Sequence, residues 1–236
     1  MLRTLTWAVA ILLFVATALQ FVDQLNLYAT PPVLPESSNM VERNLGSADY
    51  RAAIWPIFFG SHFLFALALL LVVPLSYILG ARLPRTEDRR LLMTSTLAAG
   101  ALIGAIGELL LVGAIQVTIG LSYCDCGFKE QEVVSQIWGV MLIDGAHRWL
   151  VNGAALMLAA GFWVAGTLLR TRGMSEAWQW LSRAIAVALV VPVVLAILET
   201  GEDVSNLLAA LATAILVPIW AIWLGRNLGG SAVLDA

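Results

Sequence analysis

Charged residues are scarce in this sequence, and their scarcity excludes several classes of protein. Only 12% of the 236 residues are charged, whereas soluble domains carry about a quarter. The net charge is -3 and the positive residues are scattered, so no basic stripe marks a nucleic-acid-binding surface. Hydrophobic residues make up 60% of the chain, and the mean hydropathy is +0.87. This composition is typical of a membrane protein.

Catalytic sequence motifs are also missing. The chain contains no GxSxG, no HExxH, no phosphate-binding glycine loop and no GxGxxG. Motifs of these kinds would indicate hydrolytic or nucleotide-dependent chemistry. No serine or cysteine is spaced to pair with a histidine as a nucleophile. The sequence therefore offers no support for an enzyme, and we expect a non-enzymatic protein.

Long apolar runs are abundant, and each is long enough to cross a bilayer as a helix, since a core of about 30 Å needs about 20 helical residues. Six such runs occur, at 4–22, 52–79, 91–120, 133–169, 178–198 and 207–224. Open sheet edges do not occur in hydrocarbon and no run alternates in polarity, so all six are predicted to be helices. The predicted fold is an all-α polytopic membrane helix bundle, one domain over 1–236 with six transmembrane helices.

Arginines fall in alternate connections and so predict the orientation of the bundle. Arg3 precedes the first run, Arg226 follows the last, and four arginines lie between positions 82 and 90. The opposite connections are acidic or neutral. The pattern predicts that both termini are cytoplasmic and that loop 23–51 is external. The first run lacks a following small-x-small cleavage site, so we expect it to remain as a helix.

Small residues are dense at 98–107 and 153–166 in the third and fourth runs. Such spacing lets helix backbones approach closely. The two runs are therefore predicted to pack against each other.

The stretch LIDGAHRWLVN, at 142–152, adds polar residues to the fourth run. Asp144 lies three residues before His147 and four before Arg148, and Arg148 lies four before Asn152, so these residues share one helix face, with Asp144 and Arg148 spaced for an ion pair. The whole run would measure roughly 55 Å, so part of it must lie outside the hydrocarbon. Counting about 20 residues back from its cytoplasmic end places the outer boundary near Leu150 and these polar residues at the external interface.

His62 and Glu108 are ionisable residues deep in the second and third runs, where such residues usually face a partner or a cavity. Both are predicted to lie roughly 15 to 18 Å below the outer boundary, so they could meet. Together with polar residues nearer the surface they form a candidate intramembrane site in the outer half of the bundle. Its other members are Asp144, His147, Arg148 and Asn152, with Gln116 and Glu199 as further candidates.

Few residues in this sequence are candidates for binding a cofactor. His62 and His147 are the chain's two histidines, the minimum for bis-histidine haem b, but His147 is predicted to lie about 5 to 15 Å nearer the surface. Cys124 and Cys126, predicted to be external, could bind zinc or copper with His147, although they lack the CxxC spacing of a zinc ribbon. Haem or metal therefore stays an alternative.

The layout of six runs with a long first loop, the segment RWLVNGAALMLAAGFWVAGTLLR at 148–170 and the ending VPIWAIWLGRNL resembles uncharacterised bacterial six-helix integral membrane proteins, families whose domains have no known function. The resemblance implies a multi-pass protein of the bacterial inner membrane and no activity. Two hypotheses remain. One is an accessory or structural subunit of a membrane assembly, or a small sensor. The other is a small-molecule, proton, metal or haem site serving transport or redox chemistry.

Overall fold

The computed structural model describes residues 1–29, 54–83, 88–122, 130–171, 173–198 and 200–228, and every regular element among them is helical. The helices are α1 (Leu2–Ala29), α2 (Trp55–Ala81), α3 (Asp88–Ser122), α4 (Glu130–Arg170), α5 (Glu176–Ile197), α6 (Glu202–Leu211) and α7 (Val217–Leu228). A π-helical turn, Ala212–Leu216, joins α6 to α7 into one sixth span. Six helical segments are thus long and apolar enough to cross a membrane, and the predicted all-α bundle is confirmed.

The ends of the first helix differ from the prediction. α1 continues to Ala29, so residues 23–29 of the predicted external loop are helical. A helix need not end where its apolar run ends, because its backbone hydrogen bonds are satisfied internally in water as well as in lipid. The part of that loop beyond Ala29 lies outside the described residues and stays a prediction.

The six spans form a closed ring. Each helix contacts the next along the chain, and α7 returns to contact α1. Successive spans run antiparallel, so both termini lie at one end, where Gly225 of α7 packs against Arg3 of α1. We call this end, which also carries Arg170 and Arg226, the terminal end, and the opposite end the distal end.

Three buried aromatic side chains, Phe162, Trp178 and Trp220, form a cluster toward the terminal end. The Trp220 ring stacks on Trp178 at 5.2 Å between centroids and meets Phe162 edge-on at 5.0 Å. Its Nε1–H donates to Ser182 Oγ at 2.9 Å, and that hydroxyl donates to the Trp178 carbonyl oxygen at 3.0 Å. One cluster therefore joins α4, α5 and α7.

Helices α3 and α4 approach closely through glycine. A Cβ placed on Gly100 would lie 3.0 Å from the carbonyl oxygen of Ala154 and from the amide nitrogen of Leu158. At Gly104 a Cβ would lie 3.3 Å from the Ala154 Cβ. A side chain at either position would make a tighter contact than Cβ atoms ordinarily make, so the two glycines allow the close backbone approach that is common between membrane helices. The predicted packing of the third and fourth spans through small residues is confirmed.

A valine at position 100 tests this contact. Gly100→Val is expected to lower the free energy of unfolding by about 1 to 3 kcal/mol, because the backbone of α4 has to move away. Thermal unfolding in detergent would measure the loss. Gly113→Val is the matched control on the same helix, since nothing lies within 4 Å of a Cβ there. Equal losses from the two substitutions would contradict the contact and indicate a general cost of valine in α3.

A short turn connects α4 to α5. Gly173 adopts a left-handed φ of 87°, and its N–H and that of Met174 donate to carbonyls in the last turn of α4, each at 3.1 Å. This arrangement is a Schellman termination. Ser175 then begins α5 by accepting a hydrogen bond from the Trp178 amide at 3.3 Å. The tight turn fixes the last turns of α4 beside the first turns of α5.

The π-helical turn in the sixth span contains an i→i−5 hydrogen bond from the Val217 amide to the Ala212 carbonyl. Pro218 follows, and it has no N–H to donate to the residue four positions earlier. The span keeps one face toward the bundle through the turn: Ala212 is buried, and beyond the turn so are Val217, Trp220 and Leu224. Two α-helices are thus joined with one extra residue in the turn between them.

Candidate functional site

His62 on α2 and Glu108 on α3 form a hydrogen-bonded pair. The imidazole Nδ1 lies 2.6 Å from the carboxylate Oε2. The two side chains are only 14% and 8% exposed. The Phe58 ring, one turn earlier on α2, packs against the His62 ring at 4.5 Å between centroids. The sequence left open whether these two residues meet, and in the structure they do. The imidazole contacts the carboxylate through Nδ1 and the Phe58 ring through its face.

His147 on α4 reaches the residue that precedes Glu108. Its Nδ1–H donates to the Gly107 carbonyl oxygen at 2.9 Å. Glycine permits this approach, because a Cβ at 107 would lie 3.2 Å from Val151 and 3.4 Å from Leu150. Both histidines of the chain therefore bond to consecutive residues of α3. We call His62, Glu108 and His147, with the Gly107 carbonyl, the α3 polar cluster.

The predicted depth of His147 is wrong. The boundary near Leu150 would have placed its ring 5 to 15 Å closer to the surface than His62, yet it lies beside Gly107, next to Glu108. The glycine contacts between α3 and α4 set the register of the two helices, and they bring this part of α4 level with the middle of α3. In addition, the candidate span of α4 begins at Met141 rather than near Leu150.

The hydrogen bonds restrict where protons sit. A carbonyl oxygen only accepts, so Nδ1 of His147 carries a proton and a further proton would go to Nε2. The bond between His62 and Glu108 needs one proton between the two groups, carried by either partner. The pair of His62 and Glu108 can therefore gain or lose a proton either at the imidazole on α2 or at the carboxylate on α3.

The other candidate residues form no part of this cluster. Asp144 and Arg148 make the predicted i,i+4 ion pair, with Arg148 Nε 3.3 Å from Asp144 Oδ2, but their side chains are 43% and 76% exposed. Asn152 is half-buried on α4 and Gln116 is exposed on α3. Glu199 lies outside the described residues. Exposed pairs of this kind contribute little to stability.

Ligands for a metal ion do not gather at the cluster. α3 packs against α2 and against α4, and the two imidazoles bond through Nδ1 to consecutive residues of α3. Within the described ranges, no group of three or more His, Cys, Asp or Glu side chains converges as metal ligands. Cys124 and Cys126 lie outside those ranges, so the proposed thiolate site stays a prediction.

Arg183 is a polar residue that the sequence analysis passed over. It lies inside the fifth span, and its guanidinium carbon is 5.1 Å from the Trp163 ring centroid and 5.0 Å from that of Trp180. The sequence did contain a signal for this contact. Trp180 lies three residues before Arg183, and residues three apart share one face of a helix.

Comparison with known proteins found no matching protein family, no matching curated protein and no matching solved structure. The likeness of the layout to bacterial six-helix families therefore stays an expectation.

Proposed function

We propose that this chain is a non-enzymatic integral membrane protein that binds a proton at the α3 polar cluster and acts as a small proton-responsive sensor. The observation that carries the proposal is the convergence of both histidines on Gly107 and Glu108 of α3. An ionisable residue within a membrane span is expensive and usually serves a function with a specific partner. Here the buried carboxylate of Glu108 has His62 as that partner.

The chemistry of the pair supports a response to protons. With Nε2 of His62 protonated and one further proton in the bond between Nδ1 and the carboxylate, the pair has zero net charge, either as two neutral groups or as an ion pair. A second proton gives the pair a charge of +1, and loss of the shared proton leaves −1. Either net charge is costly in a low-dielectric interior. A change in proton number therefore alters the contact between α2 and α3, while the neighbouring α3 to α4 contact contains His147.

The proposed setting follows the arginine pattern. Arginines flank the spans at the terminal end, among them Arg3, Arg82, Arg170 and Arg226, and positive residues are retained on the cytoplasmic side. We place both termini in the cytoplasm, the membrane as the inner membrane of a bacterium, and the α3 polar cluster in the half of the bilayer away from the cytoplasm.

Infrared spectroscopy of the protein in phosphatidylcholine nanodiscs tests the proposal. The carbonyl stretch of a protonated carboxyl would be followed over about pH 4 to 9, the range in which carboxyl and imidazole groups ordinarily titrate. We expect one titrating band that disappears in Glu108→Gln, and whose midpoint moves in His62→Asn, because the partner of the carboxylate changes. Hydrogen exchange at the same pH values should change in α2 and α3 of the wild type and stay constant in Glu108→Gln.

Asp144→Asn is the matched control, because it removes an exposed carboxylate from the neighbouring helix and should leave the Glu108 band in place. A Glu108 carboxyl that keeps one protonation state throughout the range would overturn the proposal. A titrating Glu108 without any change in hydrogen exchange would overturn the sensor part of it.

The second candidate function is an accessory subunit of a membrane assembly, and the distal half of α4 favours it. Trp149 is 75% exposed there and Leu142 74%, next to the exposed Asp144–Arg148 pair. Lipid tails offer no hydrogen bonds to an ion pair, whereas a neighbouring polypeptide can. A silent Glu108 in the infrared titration would favour this function, with the α3 polar cluster as a packing contact.

A further inference from the structure

Arg183 is a half-buried cation whose charge the described residues leave unneutralised. Among those residues, ion pairs join His62 to Glu108, Arg148 to Asp144 and Arg170 to Glu176, and none includes Arg183. Its Nε is buried and has no hydrogen-bond partner within the described ranges. Its contacts are two indole rings, Trp163 on α4 and Trp180 on α5. The guanidinium is therefore held in place by aromatic faces while its N–H donors face no acceptor of the described chain.

Such an arrangement is suited to an anionic ligand. A cation over an aromatic face gains roughly 0.5 to 2 kcal/mol, which is small beside the cost of an unpaired charge in a low-dielectric environment. A guanidinium carries five N–H donors in a planar fork that matches the oxygens of a phosphate. An anion with several oxygens would both neutralise the charge and satisfy the donors.

The position of Arg183 along α5 indicates the source of that anion. It lies seven residues beyond Glu176, the first residue of α5, which is about 10 Å along the helix. Side chains lean toward the N-terminus of their helix, and the N-terminus of α5 is at the terminal end. The long side chain thus points toward the headgroups of the nearer leaflet, as snorkelling arginines do.

The two tryptophans mark the same location. Trp163 is 48% exposed and Trp180 58% exposed, so their rings lie on the outer surface of the bundle. Indoles favour the headgroup level of a bilayer. The guanidinium between them is consequently open to the lipid side rather than to the interior of the bundle.

We propose that Arg183, flanked by Trp163 and Trp180, binds the phosphate of an anionic phospholipid in the leaflet at the terminal end. A zwitterionic lipid is a weaker ligand, because its phosphate is already neutralised by its own ammonium group. If the terminal end is cytoplasmic, as its arginines indicate, the leaflet is the one in which anionic lipids attract basic residues. This site is independent of the α3 polar cluster, since it uses other residues on the α4 to α5 contact.

Native mass spectrometry with added lipid tests the site. Wild-type protein given equal amounts of phosphatidylglycerol and phosphatidylcholine of matched chains should retain one phosphatidylglycerol, with at least about a tenfold preference, as expected for a charge-assisted phosphate contact. Arg183→Gln should abolish the preference, and Arg183→Lys should reduce it, because lysine keeps the charge and loses the fork. Phosphatidylglycerol should also raise the Tm of the wild type more than phosphatidylcholine does.

Arg148→Gln is the matched control, because Arg148 is an exposed arginine of the distal half and already pairs with Asp144. Its lipid preference should equal that of the wild type. Equal retention of the two lipids by the wild-type protein would overturn the proposal whether or not the variants fold. So would an unchanged preference in Arg183→Gln, or displacement of the lipid by inorganic phosphate alone, which would make this a site for free anions. Retention of a stoichiometric polypeptide at the site in place of lipid would overturn it too.

Discussion

Replacing Trp220 with alanine is expected to lower the free energy of unfolding by about 3 to 5 kcal/mol. Trp220 is 3% exposed and contacts Trp178, Phe162 and Ser182. Lipid is as apolar as the interior of the bundle, so the loss comes from missing packing contacts and a cavity rather than from exposure to water. Ser182 Oγ also loses a donor. The free energy can be measured by unfolding in mixed micelles with increasing SDS.

Trp149→Ala is the control for this prediction. It removes the same side chain from a site that is 75% exposed, where the change should be within about 0.5 kcal/mol. Trp220→Phe should recover most of the packing and leave only the loss of the hydrogen bond, about 1 kcal/mol. Comparable losses from Trp220→Ala and Trp149→Ala would show that the aromatic cluster does not hold α4, α5 and α7 together.

Breaking the pair between His62 and Glu108 should be nearly as costly. Removal of one partner of a buried charged pair costs about 3 to 5 kcal/mol, because the other partner stays buried and unpaired. Glu108→Leu and His62→Leu are each expected to approach that range. The double variant should cost far less than the sum of the single losses, and it can even be more stable than the wild type, since two leucines need no hydrogen bond.

A double-mutant cycle measures this coupling through the unfolding free energies of the four proteins. Additive losses would mean that the two side chains do not depend on each other. The same cycle on Asp144 and Arg148, whose pair is exposed, should give a coupling of at most about 1 kcal/mol. A stable double leucine variant that no longer responds to pH would separate the role of the pair in proton binding from its role in stability.

Six spans and one polar contact could be read from the sequence, and the reasons are local. Each span satisfies its own backbone, so its length and apolarity suffice to identify it. The meeting of His62 with Glu108 followed from counting residues inward along two antiparallel neighbours. Both steps need only the rise of a helix and the thickness of a bilayer.

The position of His147 could not be read in the same way. Its level depends on how α3 and α4 slide along each other, and contacts such as Gly100 against Leu158 fix that register. The hydropathy of a helix does not change when the helix slides along its neighbour, so hydropathy cannot reveal the register of α3 and α4. Arg183 was missed for a related reason: one arginine barely lowers the hydropathy of a span, and its two tryptophans come from different helices.

The π-helical turn fixes the rotational phase of the sixth span. An unbroken α-helix would follow the buried Ala212 with an inward residue at 215 or 216, whereas Ile215 is 47% exposed, Leu216 is only partly buried, and the next buried side chain is Val217. One residue corresponds to about 100° around a helix. Deleting a single residue from Ala212–Leu216 would therefore restore ordinary α-helical hydrogen bonding and leave Trp220 facing Trp178, whereas an unbroken α-helix that kept every residue would turn Trp220 away by about 100°. A relative that lacks the turn should align with this chain only through a one-residue gap at that position.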